Sequence, residues 1–265
     1  INTFVSNKSV VKEFAEWYFE TIIGIENIPF GHPKVSPIEH IEIEDVSSDH
    51  RYHREYFKDS DDFFECLETL YGPIAEDQNI MDKALFVLMW ESLDRSELQN
   101  LKIEDVEDTE DGGINLKLET RSVIVTEKRS IETIKHAIGI TGYDTLQRNG
   151  RSRSFEFADT GMVLRNTSKR MVKHQIIPAT SLNTMVDQAA RIAEELPEDN
   201  QYHNKRLVYR GLSDSAAFER LIEMDIHGKL HSWDIAKAKR VDSVSEGIVR
   251  SFGFNYEGWK KYFGY

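Results

Sequence analysis

"MWESLDRSELQNLKIEDVED", residues 89–108, decides how this chain is read. The apolar end of one helix runs into a turn at "ESLD". "RSELQNL" then restores helical spacing before "KIEDVED" opens an acidic loop. Asp94 stands where a helix start favours an acid, because Asp accepts from free backbone N–H groups at the positive end of the helix dipole.

The segments on either side extend the pattern. "NIMDKALFVLMWES" is apolar enough for a buried helix, and "DSDDFFECLETLYG" before it is a helix with N-cap candidates at residues 59–61. Downstream, "DGG" precedes two short alternating runs, "INLKLET" and "SVIVTEK", which read as a hairpin or small meander. "SIETIKHAIGI" returns to helix, "LQRNGRSRS" reads as a basic loop, and "NTSKRMVKHQI" is basic again. "SLNTMVDQAARIAEEL" is a helix with Ser181 as its cap and Pro197 beyond its end, and further helices are expected at "SDSAAFERLIEM", "SWDIAKAKR" and "SEGIVRSFGF". Towards the N-terminus, residues 8–24 place Val11, Phe14, Trp17, Tyr18 and Ile22 at helical spacing. A proline-containing linker follows, and then an acidic extended segment or tether over residues 35–55. The class is mainly α (α+β), with one small antiparallel sheet. The domains are a partial N-terminal helical unit and linker at 1–34, the tether at 35–55, and a compact domain at 56–265. The chain begins at Ile1 rather than Met, which suggests a processed chain or part of a longer protein.

A net charge of −13 over 265 residues argues against nucleic-acid binding when taken globally. The charge is uneven, however. Residues 117–175 hold 12 Lys and Arg against 6 Asp and Glu, a local balance of +6, which leaves −19 for the remainder. Such asymmetry can mark a binding face opposite a solvating one, or be chance clustering on a solvated surface. The single cysteine, Cys66, cannot form an internal disulfide, and it reads as a small core residue in a reducing, cytoplasmic setting. No apolar run approaches a bilayer span, no secretory signal is visible, and no membrane association is expected. His32, His50 and His53 lie in acidic sequence without recognised ligand spacing, so no metal and no cofactor is expected.

The order of elements from about residue 56 onward resembles the catalytic domain of the tyrosine recombinases, the phage integrase family. Its first box has the form G-L-R-x-S-E-L-x-x-L-x-x-x-D-I. Here the box is Ser92, Leu93, Asp94, Arg95, Ser96, Glu97 and Leu98, followed by Leu101 and then Asp105 and Val106. The first catalytic arginine of the family therefore falls on Asp94. Arg95 is one step on, rotated by roughly 100° on a helix, so it does not replace Asp94 without a backbone shift. The second box, H-x-L-R, is best matched by His231 to "IAKAKR", with Asp234 at the arginine position. The third, L-G-H, resembles Phe252, Gly253 and Phe254, which puts Phe254 at the histidine position. Tyr262 lies nearest the nucleophilic tyrosine, one residue short, and Phe263 occupies the expected place. The hairpin lysine has no clean counterpart, and Lys117 comes nearest. Residues 8–34 resemble a truncated core-binding domain, and residues 199–230 an insertion.

The resemblance implies chemistry that these residues do not support. Recombinases attack a phosphodiester with a tyrosine hydroxyl, and two arginines clamp the phosphate oxygens as negative charge grows. An ionised Asp at ~4 Å from a phosphate oxygen repels it by roughly 4 kcal/mol at an effective dielectric of 20. Asp94, His231, Asp234, Phe254 and Tyr262 thus read as vestigial positions of a dismantled active site. The expectation is a non-enzymatic, sequence-specific transcriptional repressor binding double-stranded operator DNA. It is similar to a divergent integrase-like group of phage lytic-cycle repressors that govern lysogeny. Arg148, Arg151, Arg153, Lys169, Arg170, Lys173, Lys205, Arg206 and Arg210 are its DNA-binding candidates, with Lys128 and Arg129 as further ones. Tyr256, Trp259, Tyr262 and Phe263 form a helical face expected to pack in the core or in a homo-oligomer through the C-terminal tail. Two alternatives stay open: an atypical recombinase using Tyr262 with Arg95 repositioned, and an acidic protein-interaction module.

Overall fold

Ten of the eleven side chains from Ile80 to Trp90 are buried, and a helix apolar on all its faces belongs at the centre of a core. The computed structural model describes residues 48–74, 76–146, 151–166, 176–226 and 230–265. In chain order they form α1 (Ser48–Glu55), α2 (Ser60–Tyr71), α3 (Ile80–Trp90), α4 (Arg95–Asn100), a 3-10 turn at Ile103–Asp105, β1 (Val106–Asp108), β2 (Ile114–Lys117), β3 (Ser122–Val125) and α5 (Lys128–Gly139). Then come β4 (Gly142–Leu146), β5 (Ser152–Glu156), α6 (Ala179–Glu195), α7 (Tyr209–Glu223), α8 (Ser232–Ala238) and α9 (Glu246–Phe263). The class is α+β. The expected helix at residues 8–24, its linker and residues 35–47 lie outside the described residues.

The described chain opens in a helix where an extended tether was expected. Tyr52 and Tyr56 are buried at its end, and residues from Arg51 onward belong to one compact unit. The start of α2 follows the sequence closely: Asp59 caps it, its Oδ1 accepting from the Asp62 N–H at 2.9 Å.

β1, β2 and β3 form an antiparallel sheet in sequence order, with Val106 opposite Leu116 and Ile114 opposite Val125. Ile114, Leu116, Val123 and Val125 are buried while Ser122 and Ile124 are exposed, so one face lies on the core. A second sheet stands where a basic loop was expected. β4 and β5 pair from Gly142 opposite Glu156 to Leu146 opposite Ser152. Tyr143 and Phe155 stack across the pair with centroids 5.2 Å apart, while the polar "SRS" hides the period of two. Helix α6 also starts earlier than expected: Pro178 is its N-cap, and Ser181 lies inside the first turn. The preset φ of proline suits a helix start without a side-chain cap.

Two hydrophobic clusters form among the described residues. The larger joins α2, α3, the three-stranded sheet, α5 and α6. The smaller gathers Tyr52, Tyr56, Ile235, Phe252, Tyr256 and Trp259. Helix α7 serves both, giving Leu212 and Ala216 to the first and Phe218 and Leu221 to the second. The stretch likened to an insertion therefore supplies a central helix. The C-terminal aromatic face is core at Tyr256 and Trp259, and the Trp259 indole donates to the Phe57 carbonyl at 2.7 Å.

Close approach of α7 to α1 depends on Gly211. A Cβ there would lie 2.1 Å from the Glu55 carbonyl oxygen, a backbone atom that cannot swing away. Gly211→Ala is expected to cost about 1–3 kcal/mol, read as a lower urea midpoint at unchanged m value. Gly253→Ala, in α9 with nothing within 4 Å of the added carbon, is expected to raise stability by about 0.5–1 kcal/mol.

Candidate nucleic-acid interface

The first box folds around a reciprocal cap. Asp94 accepts from the Glu97 N–H at 2.9 Å, and Glu97 accepts from the Asp94 N–H at 2.7 Å. The Asp94 carboxylate is thereby committed to its own helix start. Glu97 also holds Arg121 in a two-point fork, Nε to Oε1 and Nη2 to Oε2, both at 2.7 Å. Arg121 further donates to the Ser92 carbonyl at 2.7 Å and to the Arg240 carbonyl. Burial works against the Arg121 charge, but Glu97 outweighs it and holds the guanidinium above its ordinary value. The retained Glu of the box thus ties α4 to the β2–β3 turn and to the segment after α8. Arg95 is exposed and donates from Nη2 to Asn183 Oδ1 on α6 at 2.8 Å.

The second box repeats the device. Asp234, in the first turn of α8, accepts from the His231 N–H at 2.9 Å. The His231 ring stacks on Trp233, with centroids 4.2 Å apart and planes 9° apart. Trp233 is 64% exposed and Phe254 74%, and Phe254 shares an open crevice with His231, Glu246, Arg250 and Glu257.

The vestigial positions take different neighbours. His231, Asp234 and Phe254 come together at the start of α8 and the outer face of α9. Asp94 lies close enough to Tyr209 that its charge, after burial, pushes that phenol up. Tyr262 is partly buried and packs against the smaller core, stacked on Tyr52 at 6.0 Å and edge-on to Phe263 at 4.8 Å. Lys117 is paired with Glu107 at 2.5 Å.

Of the basic candidates, Arg148, Lys169, Arg170 and Lys173 lie outside the described residues. Arg151 and Arg153 are exposed beside and on β5, and Arg153 lies over the Phe155 ring at 4.6 Å. Arg206 and Arg210 are also exposed, with Arg210 3.5 Å from the buried Asp214. Lys128 is exposed near Glu132, while Arg129 is partly buried between Glu127 and Asp61.

Lys205 is a correction. It is 4% exposed and donates to the carbonyls of His53 at 2.9 Å and Tyr56 at 2.6 Å, with its ammonium over the Phe57 ring. Burial lowers its pKa, and no phosphate can reach it. The carbonyls at the end of α1 need a donor, and Lys205 supplies one across the fold. Lys205→Met is expected to cost about 1–3 kcal/mol in denaturant titration by stranding those carbonyls, and to leave any DNA affinity of the folded protein unchanged.

Sequence reading missed the polar centre of the fold. Glu91 is 1% exposed and accepts from Ser130 Oγ at 2.8 Å, from Arg220 at 3.3 Å and from Arg240. A carboxylate ending a fully buried helix was the available signal, since such a charge must find partners.

No group of three or more metal-binding side chains occurs among the described residues, and no helix among them is long and apolar enough to cross a membrane. Comparison of the chain with protein-family models and with curated proteins finds no match.

Proposed function

We propose that this chain is a sequence-specific DNA-binding repressor, built on a tyrosine-recombinase-like scaffold, that holds duplex DNA without cutting it. One observation carries the proposal. At both positions where the resemblance puts a phosphate-clamping arginine the chain has an acid, and each acid is spent on a backbone N–H at its own helix start. Oxygens fixed in that way offer a phosphate repulsion in place of donors. The packing of Tyr262 against Tyr52 agrees with this, because a nucleophile must reach the phosphate that the other groups hold.

Binding then rests on exposed basic side chains. Arg151 and Arg153 are exposed on the second sheet, and Arg206 and Arg210 at the entry to α7 are exposed too. The biological setting that fits is a phage lysogeny regulator acting on operator DNA in the host cytoplasm, with a second copy engaged through the C-terminal tail. Electrophoretic shifts of a fragmented-genome library, repeated across salt, test it. A small set of fragments should shift, with affinity falling steeply as salt rises. If no fragment shifts at low salt, DNA binding is excluded and the acidic surface points to a protein partner.

A further inference from the structure

Beyond DNA binding, we infer that the pocket between α4, α6 and the start of α7 binds a small zwitterion with an aliphatic side chain, the chemistry of a free α-amino acid. The pocket measures about 470 Å³, within the range of small-ligand sites. Its apolar lining comes from Met89, Leu98 and Leu182, all at or below 5% exposure, with the partly buried Val186 and Val208 beside them.

Two opposite charges line the same pocket. Arg95 spends one of its five N–H donors, on Asn183, and a guanidinium with donors to spare is a carboxylate receptor. Asp187, one helical turn beyond Asn183 on the same face of α6, is exposed and makes no side-chain ion pair or hydrogen bond among the described residues. It is a receptor for an ammonium. An apolar lining with one cation and one anion beside it matches a carboxylate, an ammonium and a short hydrocarbon chain on one molecule. A fatty acid would leave Asp187 unpaired and facing its carboxylate, and a simple amine would leave Arg95 unused. Tyr209 completes the lining and brings the pocket next to the Asp94 cap.

The test uses the full chain carrying ¹³C-methyl methionine, titrated with leucine, isoleucine, valine, methionine and phenylalanine up to about 10 mM, alongside calorimetry. At least one should shift the Met89 methyl saturably. Its N-acetyl and amide derivatives, which lack the ammonium and the carboxylate respectively, should bind at least tenfold more weakly. Arg95→Gln, at an exposed site, should weaken binding at least tenfold, and Val186→Trp should abolish it by filling the space. If Val186→Trp fails to fold, Arg95→Gln and the wild-type methyl shift still decide. No saturable shift with any of the five, or equal affinity in Arg95→Gln, overturns the proposal. Undiminished binding of the N-acetyl form would overturn the zwitterion and leave a simple acid as the ligand.

Discussion

Glu91→Gln is expected to destabilise the fold by about 3–5 kcal/mol, because it breaks a buried ionic centre from its acidic side. The substitution keeps the volume and the Ser130 contact but removes the charge that two arginines share. Arg220 is already strained in this respect: burial, and then the Arg240 charge, push its pKa down to about 10, while Glu91 opposes both. Without Glu91, two guanidiniums face each other at 16% and 22% side-chain exposure. For a unit of this size the loss corresponds to a Tm lower by on the order of 10 °C, measurable by calorimetry or circular dichroism. Arg220→Met should cost less, since Glu91 keeps Arg240 and Ser130. Equal losses in the two variants would show that the network acts through its hydrogen bonds to Trp90 and Ala238 rather than through charge balance.

The paired change Arg151→Glu with Arg153→Glu is expected to weaken DNA binding on the order of 30- to 100-fold while leaving the unfolding midpoint nearly unchanged. Both residues are exposed, and the Arg153 guanidinium lies over the neighbouring Phe155 ring. Losing two phosphate contacts should also flatten the slope of log affinity against log salt by about 2. Unchanged affinity and slope would remove the β4–β5 hairpin from the interface and leave Arg206 and Arg210 as its described basic residues.

Much of the fold was legible because it is locally encoded. The apolar run ending in Trp90, the Asp59 cap and the alternation of "INLK" with "SVIV" each carry their own period or cap. The helix start at Asp94 was legible too, as an acid where free backbone N–H groups favour one, although its reciprocal partner Glu97 was not read. What escaped was non-local. β4 and β5 are polar strands whose pairing rests on a Tyr143–Phe155 stack, and their basic residues imitate a loop. Lys205 looks like any surface lysine until the end of α1 is folded against it. Glu91 finds its arginines 129 and 149 residues downstream, a separation that no local pattern records. The candidate site divides in the same way. The two acids could be read from the boxes, but the exposed His231–Trp233 stack and the packing of the partly buried Tyr262 against the smaller core depend on how α8 and α9 pack.

On the proposed reading the protein binds DNA and does not cleave it. The most direct test is incubation with a nicked suicide substrate carrying the selected operator, followed by denaturing electrophoresis. A salt-sensitive native complex and no covalent protein–DNA adduct are expected. A covalent adduct that disappears in Tyr262→Phe would contradict that reading.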